Sequence, residues 1–314
     1  MTAGVFGFAD FHQRRLPSAA TMKAPMRHTT SLVVTAALMA LSGCAAASTD
    51  TSTEPADTTT APAVTTTAPL STPGTQPTAA GVVPPGFSSI TTADGRVRSY
   101  LVSDLSGDEP APLLFVLHGF GGNAQAMSGS TKIEDSLDAN DLDAVVVYPS
   151  GTGAEQGLPQ SWNAGTCCPF ATFELVDDVA FFDELIASLI SQYDIDTDRV
   201  WVVGHSNGGM MAYRLACELS TRVTAIGVAA GALVIDTCAP VRPVSALHVH
   251  GELDTVVPLT GGNSLGIVFP STQLSVETFA LANKGDIELV TDAKWSHDWQ
   301  PEWSELFARF LASK

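Results

Sequence analysis

Apolar positions along this chain follow two rhythms. Leu113–Leu117, Ala144–Tyr148, Val200–Val203, Val223–Val228 and Ser245–Val249 are short, nearly continuous apolar runs, the pattern of strands buried on both faces. Between them the apolar side chains recur at helical spacing. Asp178–Tyr193 carries Val179, Phe182, Leu185, Ile186, Leu189 and Ile190 on one face, and Trp303, Leu306, Phe307, Phe310 and Leu311 mark a closing helix. Strands alternating with helices predict an α/β fold: a mostly parallel sheet with helices on both faces. Upstream, Ser88–Thr92 and Arg96–Val102 flank Ala93-Asp94-Gly95, an Asp-Gly hairpin signal. Residues 86–314 suffice for one such domain, and no internal repeat is present.

The first third of the chain follows neither rhythm. Arg27 and His28 precede an apolar run, Ser31–Leu41, too short to span a bilayer but of the length of a secretory signal core. It ends in Leu41-Ser42-Gly43-Cys44, which resembles the bacterial lipobox; that resemblance implies a signal peptide over residues 1–44, lipidation of Cys44 and a membrane-anchored or secreted protein outside the cytoplasm. The alternatives are ordinary cleavage after a small residue and a true start at Met26. From Ala45 to Pro85 there are twelve Thr, seven Pro and no aromatic residue. Such a stretch cannot bury enough apolar surface to offset its ordering entropy, so it is expected to be a disordered tether, reaching roughly 120 Å when extended.

Composition narrows the partners. The formal net charge is −18, and residues 1–44 hold four of the basic side chains (Arg14, Arg15, Lys23, Arg27) against one Asp, so the remainder is more acidic still. An acidic surface argues against nucleic-acid binding. Besides Cys44 there are Cys167, Cys168, Cys217 and Cys238, and export makes disulfides permissible. Cys217, ending one predicted helix, and Cys238, in the short return after the next strand, are the favoured pair. Cys167 and Cys168 are left as a vicinal pair or free thiols. No histidine stands beside the cysteines at ligand spacing, so metal ligation is not expected.

The most informative stretch is Val202-Val203-Gly204-His205-Ser206-Asn207-Gly208-Gly209. A buried strand runs into Gly-x-Ser-x-Gly, and Met210, Met211, Leu215 and Ala216 then recur at helical spacing. Strand, tight turn and helix in that order make a nucleophile elbow, with the Ser206 hydroxyl raised above the sheet and the Asn207 N–H directed at a developing oxyanion. A serine nucleophile needs a base and an acid to orient it. Of seven histidines, His12 and His28 lie in or before the signal, His205 is inside the elbow, and His118 and His250 close strands. His297 falls late in the chain, where the order Ser, acid, His places the base. Asp254 follows an apolar strand in His250-Gly251-Glu252-Leu253-Asp254, at the carboxyl edge of the sheet; Glu252 is the competing acid. His118-Gly119-Phe120-Gly121-Gly122 follows an earlier strand and offers a second oxyanion N–H, assigned to Phe120 with Gly119 as the alternative.

Together these motifs resemble the α/β-hydrolase superfamily and, within it, polyhydroxybutyrate depolymerase-like and feruloyl or acetylxylan esterase-like serine hydrolases. The resemblance runs from about Leu113 to Asp254 and is most specific in Ser161-Trp162-Asn163 with Cys167-Cys168, in Val176-Asp177-Asp178-Val179, in Gly204 through Cys217, and in His250-Gly251 through Pro258. It implies the α/β-hydrolase fold and cofactor-free ester hydrolysis, with Ser206 as nucleophile, His297 as base and Asp254 as orienting acid. The sequence departs from the family before the base, where Lys294-Trp295-Ser296 replaces the usual glycines and the segment from Asn283 looks shortened. Trp162, Trp295 and Trp299 are candidates to line a substrate groove, or else to pack the loop. Between Gly231 and Val244 there is room only for a short return, so no large lid is expected, and an open cleft suits a bulky or polymeric ester. A peptidase or acyltransferase on the same triad, or a non-catalytic binding lipoprotein, are the competing readings.

Overall fold

The computed structural model describes residues 83–154 and 159–314. The signal-like run, Cys44 and nearly all of the Thr/Pro-rich stretch lie outside the described residues. Among the described residues no helix is long and apolar enough to cross a membrane.

The elements follow in the order β1 (Ser88–Thr91), β2 (Val97–Asp104), β3 (Ala111–Leu117), α1 (Ala124–Thr131), α2 (Ile133–Asp138), β4 (Val145–Pro149), α3 (Asp178–Ile190), β5 (Ile195–His205), α4 (Asn207–Glu218), β6 (Ala225–Ala229), β7 (Ser245–Gly251), β8 (Gly262–Ser264), β9 (Ile267–Phe269), α5 (Thr272–Asn283), β10 (Ile287–Asp292) and α6 (Pro301–Leu311). One eight-stranded sheet has the order β1-β2-β4-β3-β5-β6-β7-β10. The hairpin β1–β2 and the β2–β4 pair are antiparallel; every other pairing in this sheet is parallel. The hairpin turns at Gly95, whose φ of +83° is open to glycine at little cost.

Period-two alternation divides the apolar runs between two cores. Leu113, Phe115 and Leu117 of β3, with Val200 and Val202 of β5, join the layer built from α3, α4 and Phe279 of α5. Leu114 and Val116, with Trp201 and Val203, join the opposite layer under α1, α2 and α6. A buried ion pair, Arg98 to Asp178 at 2.8 Å, fastens β2, the neighbour of the edge strand β1, to the first residue of α3. The other Asp178 oxygen accepts the Asn163 N–H at 2.8 Å, tying in the loop that precedes the helix.

Several elements lie beyond those the apolar rhythm marks. α5 buries Thr272, Ser275 and Asn283 beside Val276 and Phe279. Its polar core positions are satisfied by backbone, Asn283 by Val244 and Ser275 by Leu233, which blurs the apolar stripe. The segment from Asn283 to Trp295 is not merely shortened: it contains β10, a half-exposed edge strand parallel to β7. The connection from β6 to β7 holds neither helix nor strand. Cys217 is bonded to Cys238, pinning that connection to the end of α4, and Cys167 is bonded to Cys168.

Candidate active site

Ser206 stands at the junction of β5 and α4 with φ 52° and ψ −117°, a backbone state that costs a non-glycine residue about 1–3 kcal/mol. Crowding enforces it. A Cβ on Gly208 would press on the Leu117 carbonyl at 2.5 Å, and one on Gly204 would overlap the Gly208 carbonyl. Only glycines let β3, β5 and α4 meet this closely, and the Ser206 N–H donates to the carbonyl of Ala229, at the end of the neighbouring strand β6, at 2.8 Å.

Three side chains from separate carboxyl-edge loops meet there. His297, between β10 and α6, has Nε2 2.9 Å from Ser206 Oγ and Nδ1 2.7 Å from Asp254 Oδ2. Asp254, just past β7, accepts the backbone N–H groups of Val256 and Val257 on Oδ1, both at 2.8 Å. Burial acts to raise the Asp254 carboxyl, but hydrogen bonds from His250, His297 and the Val257 N–H outweigh it and hold the group well below the usual carboxylate range. An ionised Asp254 can only accept, so His297 carries its proton on Nδ1 and turns a lone pair toward the serine hydroxyl. Glu252, the competing acid, is exposed, and so is Asp298, the acidic neighbour of His297.

On the other side of Ser206 lies the loop after β3. The Phe120 and Asn207 N–H groups have no acceptor among the described residues, and Asn207 opens the twelve-residue helix α4, whose N-terminus favours negative charge. The loop is braced by His118. Its Nε2 accepts the Gly151 N–H at 2.9 Å, so Nδ1 is the donor to Gly119 O at 2.7 Å. Burial pushes His118 down to about 4, so it holds both bonds as a neutral ring. Gly121 N–H donates to Gln160 O at 2.8 Å from the far side.

The tryptophans are a correction. Trp162 lines no groove: it is fully buried, its Nε1–H donates to His118 O at 2.9 Å, and its backbone is clasped by the Asn207 side chain, which accepts the Trp162 N–H at 2.8 Å and donates to Trp162 O at 3.1 Å. It braces the oxyanion loop from below. Trp295 and Trp299 are half-buried against α6, both edge-on to Trp303, and Trp299 donates to Ser304 Oγ at 3.1 Å. An open pocket of about 300 Å³ next to Ser206 and His297 is lined instead by the 118–122 loop and by Ala126, Met127 and Ser130 of α1.

Sequence reasoning gave His205 no task. Its Nε2–H donates to the His297 carbonyl at 2.7 Å, so the elbow itself holds the backbone of the candidate base. Burial and the nearby His297 lower His205 to about 4. Its place inside the elbow was the available signal. Among the described residues, no cluster of three or more His, Cys, Asp or Glu side chains is arranged to hold a metal.

A model of the Alpha/beta hydrolase family matches residues 113–312. The chain belongs to that family. Among curated relatives of this hydrolase is Feruloyl esterase B of Piromyces equi, 35% identical over 168 residues that make up 52% of this chain and 30% of the relative. Another is Putative esterase NocK of Nocardia uniformis subsp. tsuyamanensis, 28% identical over 212 residues, covering 61% of this chain and 58% of the relative. The chain thus spans less than two thirds of the length of either. A solved ferulic acid esterase superposes with a TM-score of 0.53 at 14% identity, over 72% of this chain and 95% of that one, which is a likeness of fold.

Proposed function

We propose that this hydrolase is a serine esterase that cleaves carboxylic esters through an acyl-enzyme. The observation that carries the reading is the unbroken hydrogen-bonded line Ser206–His297–Asp254, beside Phe120 and Asn207 N–H groups that have no partner among the described residues. Neutral His297 takes the Ser206 proton as the oxygen attacks the ester carbonyl, and the Phe120 and Asn207 N–H groups hold the oxyanion. His297 then gives its proton to the leaving alcohol and activates the water that releases the acid. No step requires a cofactor. The names of the curated relatives favour esters over amides, and the feruloyl and acetylxylan esterases among them favour an acyl group linked to a polysaccharide; hydroxyalkanoate oligomers are the other candidate.

Ser206→Ala is expected to lower kcat on a p-nitrophenyl acyl ester by at least about 10⁴-fold with the melting temperature little changed. Turnover that survives the substitution overturns the assignment. Methyl ferulate, acetylated xylan and 3-hydroxybutyrate oligomers assayed side by side rank the acyl classes. The lipobox-like Cys44 supports export and lipid anchoring: Cys44→Ser should move the protein from the membrane fraction to the soluble one, and a variant that stays with the membrane argues against the anchor.

A further inference from the structure

Behind Asp254, away from the pocket, a second line of polar side chains runs into the core. Tyr213 Oη is 2.9 Å from His248 Nδ1, His248 Nε2 is 3.1 Å from His250 Nδ1, and His250 Nε2 is 2.8 Å from Val257 O and 3.3 Å from Asp254 Oδ2. Tyr213, His248 and His250 are fully buried, and Thr272 Oγ1, also buried, closes on His250 Nδ1 at 3.1 Å. His248 and His250 occupy alternate positions of β7, on the sheet face where β3 and β5 place leucine, phenylalanine and valine. Two imidazoles and a phenol in such a layer are costly unless each polar atom is paired.

Here they are paired, and the pairing has a direction. A carbonyl and a carboxylate can only accept, so His250 Nε2 is a donor, and in the neutral ring Nδ1 is then an acceptor. That fixes His248 as the donor at Nε2 and the acceptor at Nδ1, where the Tyr213 hydroxyl supplies the proton. Burial and the neighbouring His250 hold His248 well below its ordinary value, in keeping with a neutral ring. The titratable groups around the file are Tyr213 from α4, His248 on the same strand, and Asp254 with His297 beyond it.

We infer that Tyr213, His248 and His250 form a positioning relay that extends the triad: the His250 Nε2–H, bonded to the Val257 carbonyl, is also held 3.3 Å from the same Asp254 oxygen that His297 contacts and so fixes the rotamer of that carboxylate. The inference rests on Ser206, His297 and Asp254 being the catalytic groups. A relay of this kind sets the basicity of Asp254 as well as its place. A carboxylate stripped of one donor is a stronger base, binds the imidazolium of His297 more tightly, and so moves the acid limb of the kcat/KM profile to higher pH.

The test uses the full-length chain and a soluble p-nitrophenyl acyl ester, with Ser206→Ala as control. His250→Met deletes the donor at similar volume; His250→Gln keeps an N–H at the Nε2 position. The relay predicts that His250→Met loses about 10-fold or more in kcat with KM little moved and shifts the acid limb upward by about half a pH unit, that His250→Gln brings the limb back, and that Tyr213→Phe shifts it less in the same direction. An acid limb that stays fixed in His250→Met, or His250→Gln as impaired as His250→Met, overturns the relay and leaves these residues as core filling. Should His250→Met fail to fold, ¹⁵N NMR of the parent decides: both rings as unchanging Nε2–H tautomers from pH 5 to 8 support the relay, and an Nδ1–H or doubly protonated His250 removes it. Activity surviving in Ser206→Ala would instead sink the catalytic reading, an outcome separate from any of these.

Discussion

The two loops that face each other across Ser206 are held in opposite ways. Residues 118–122 are gripped from within by buried polar groups: His118 bonds both Gly119 and Gly151, the Trp162 indole holds the His118 carbonyl, and Gln160 holds Gly121. The loop carrying His297 is half-exposed, held at its carbonyl by His205 and supported from beneath by Trp299 and Trp303. The difference matches the work that the proposed mechanism gives each. A stationary dipole aimed at a transient charge gains most from being fixed in advance, whereas an imidazole that passes a proton between two oxygens needs only short adjustments about one hinge point.

Breaking the rigid side should therefore cost more than loosening the other. Phe120→Pro removes the loop's free N–H and is expected to lower kcat by about 10²- to 10³-fold in steady-state ester hydrolysis, while Phe120→Ala, which keeps that N–H, should lose far less; equal losses would mean that the ring and not the amide matters. His118→Leu leaves the Gly151 N–H buried without its partner and takes one of two donors from the Gly119 carbonyl, which keeps the Gly122 N–H, so a fall in kcat of about 10²-fold together with a lower melting temperature is expected. His205→Phe frees the His297 carbonyl alone and should cost about 10-fold in kcat; a loss larger than that of His118→Leu would invert the comparison.

A subtler separation is thermodynamic. His118 and His205 both titrate at about 4 in the folded protein against 6.5 for the unperturbed side chain. Between those values the unfolded chain binds more protons than the folded one, so stability is full above pH 6.5 and is lost as pH falls toward 4. Melting curves of the inactive Ser206→Ala protein across that window should decline steeply, and adding His118→Leu should flatten the decline. A flat parent curve would show that the rings are not held neutral.

What could be read from the sequence followed the range of the signal. The elbow is local grammar, with a glycine two residues to either side of Ser206 and a strand and helix flanking them, so the turn at Ser206 and the start of α4 were legible. That Asp254 and His297 meet Ser206 was legible from chain order and from their places after strands. Trp162 was misplaced because an aromatic residue in a loop looks the same in sequence whether it faces solvent or the core; its burial depends on Asn207, 45 residues away. α1 escaped for a related reason: only Ala124, Met127 and Thr131 of its residues are buried, too few for a stripe. The Tyr213–His248–His250 file was hidden because histidine at alternate strand positions reads as a break in an apolar run, and its partners come from α4 and α5.

The bare return between β6 and β7, pinned by Cys217–Cys238, carries one further consequence. With nothing inserted there to swing aside, the proposed ester hydrolysis has no need of an oil–water boundary to switch it on. Rates should then climb smoothly with substrate concentration through the solubility limit, without the sudden jump that marks enzymes awakened by an emulsion droplet.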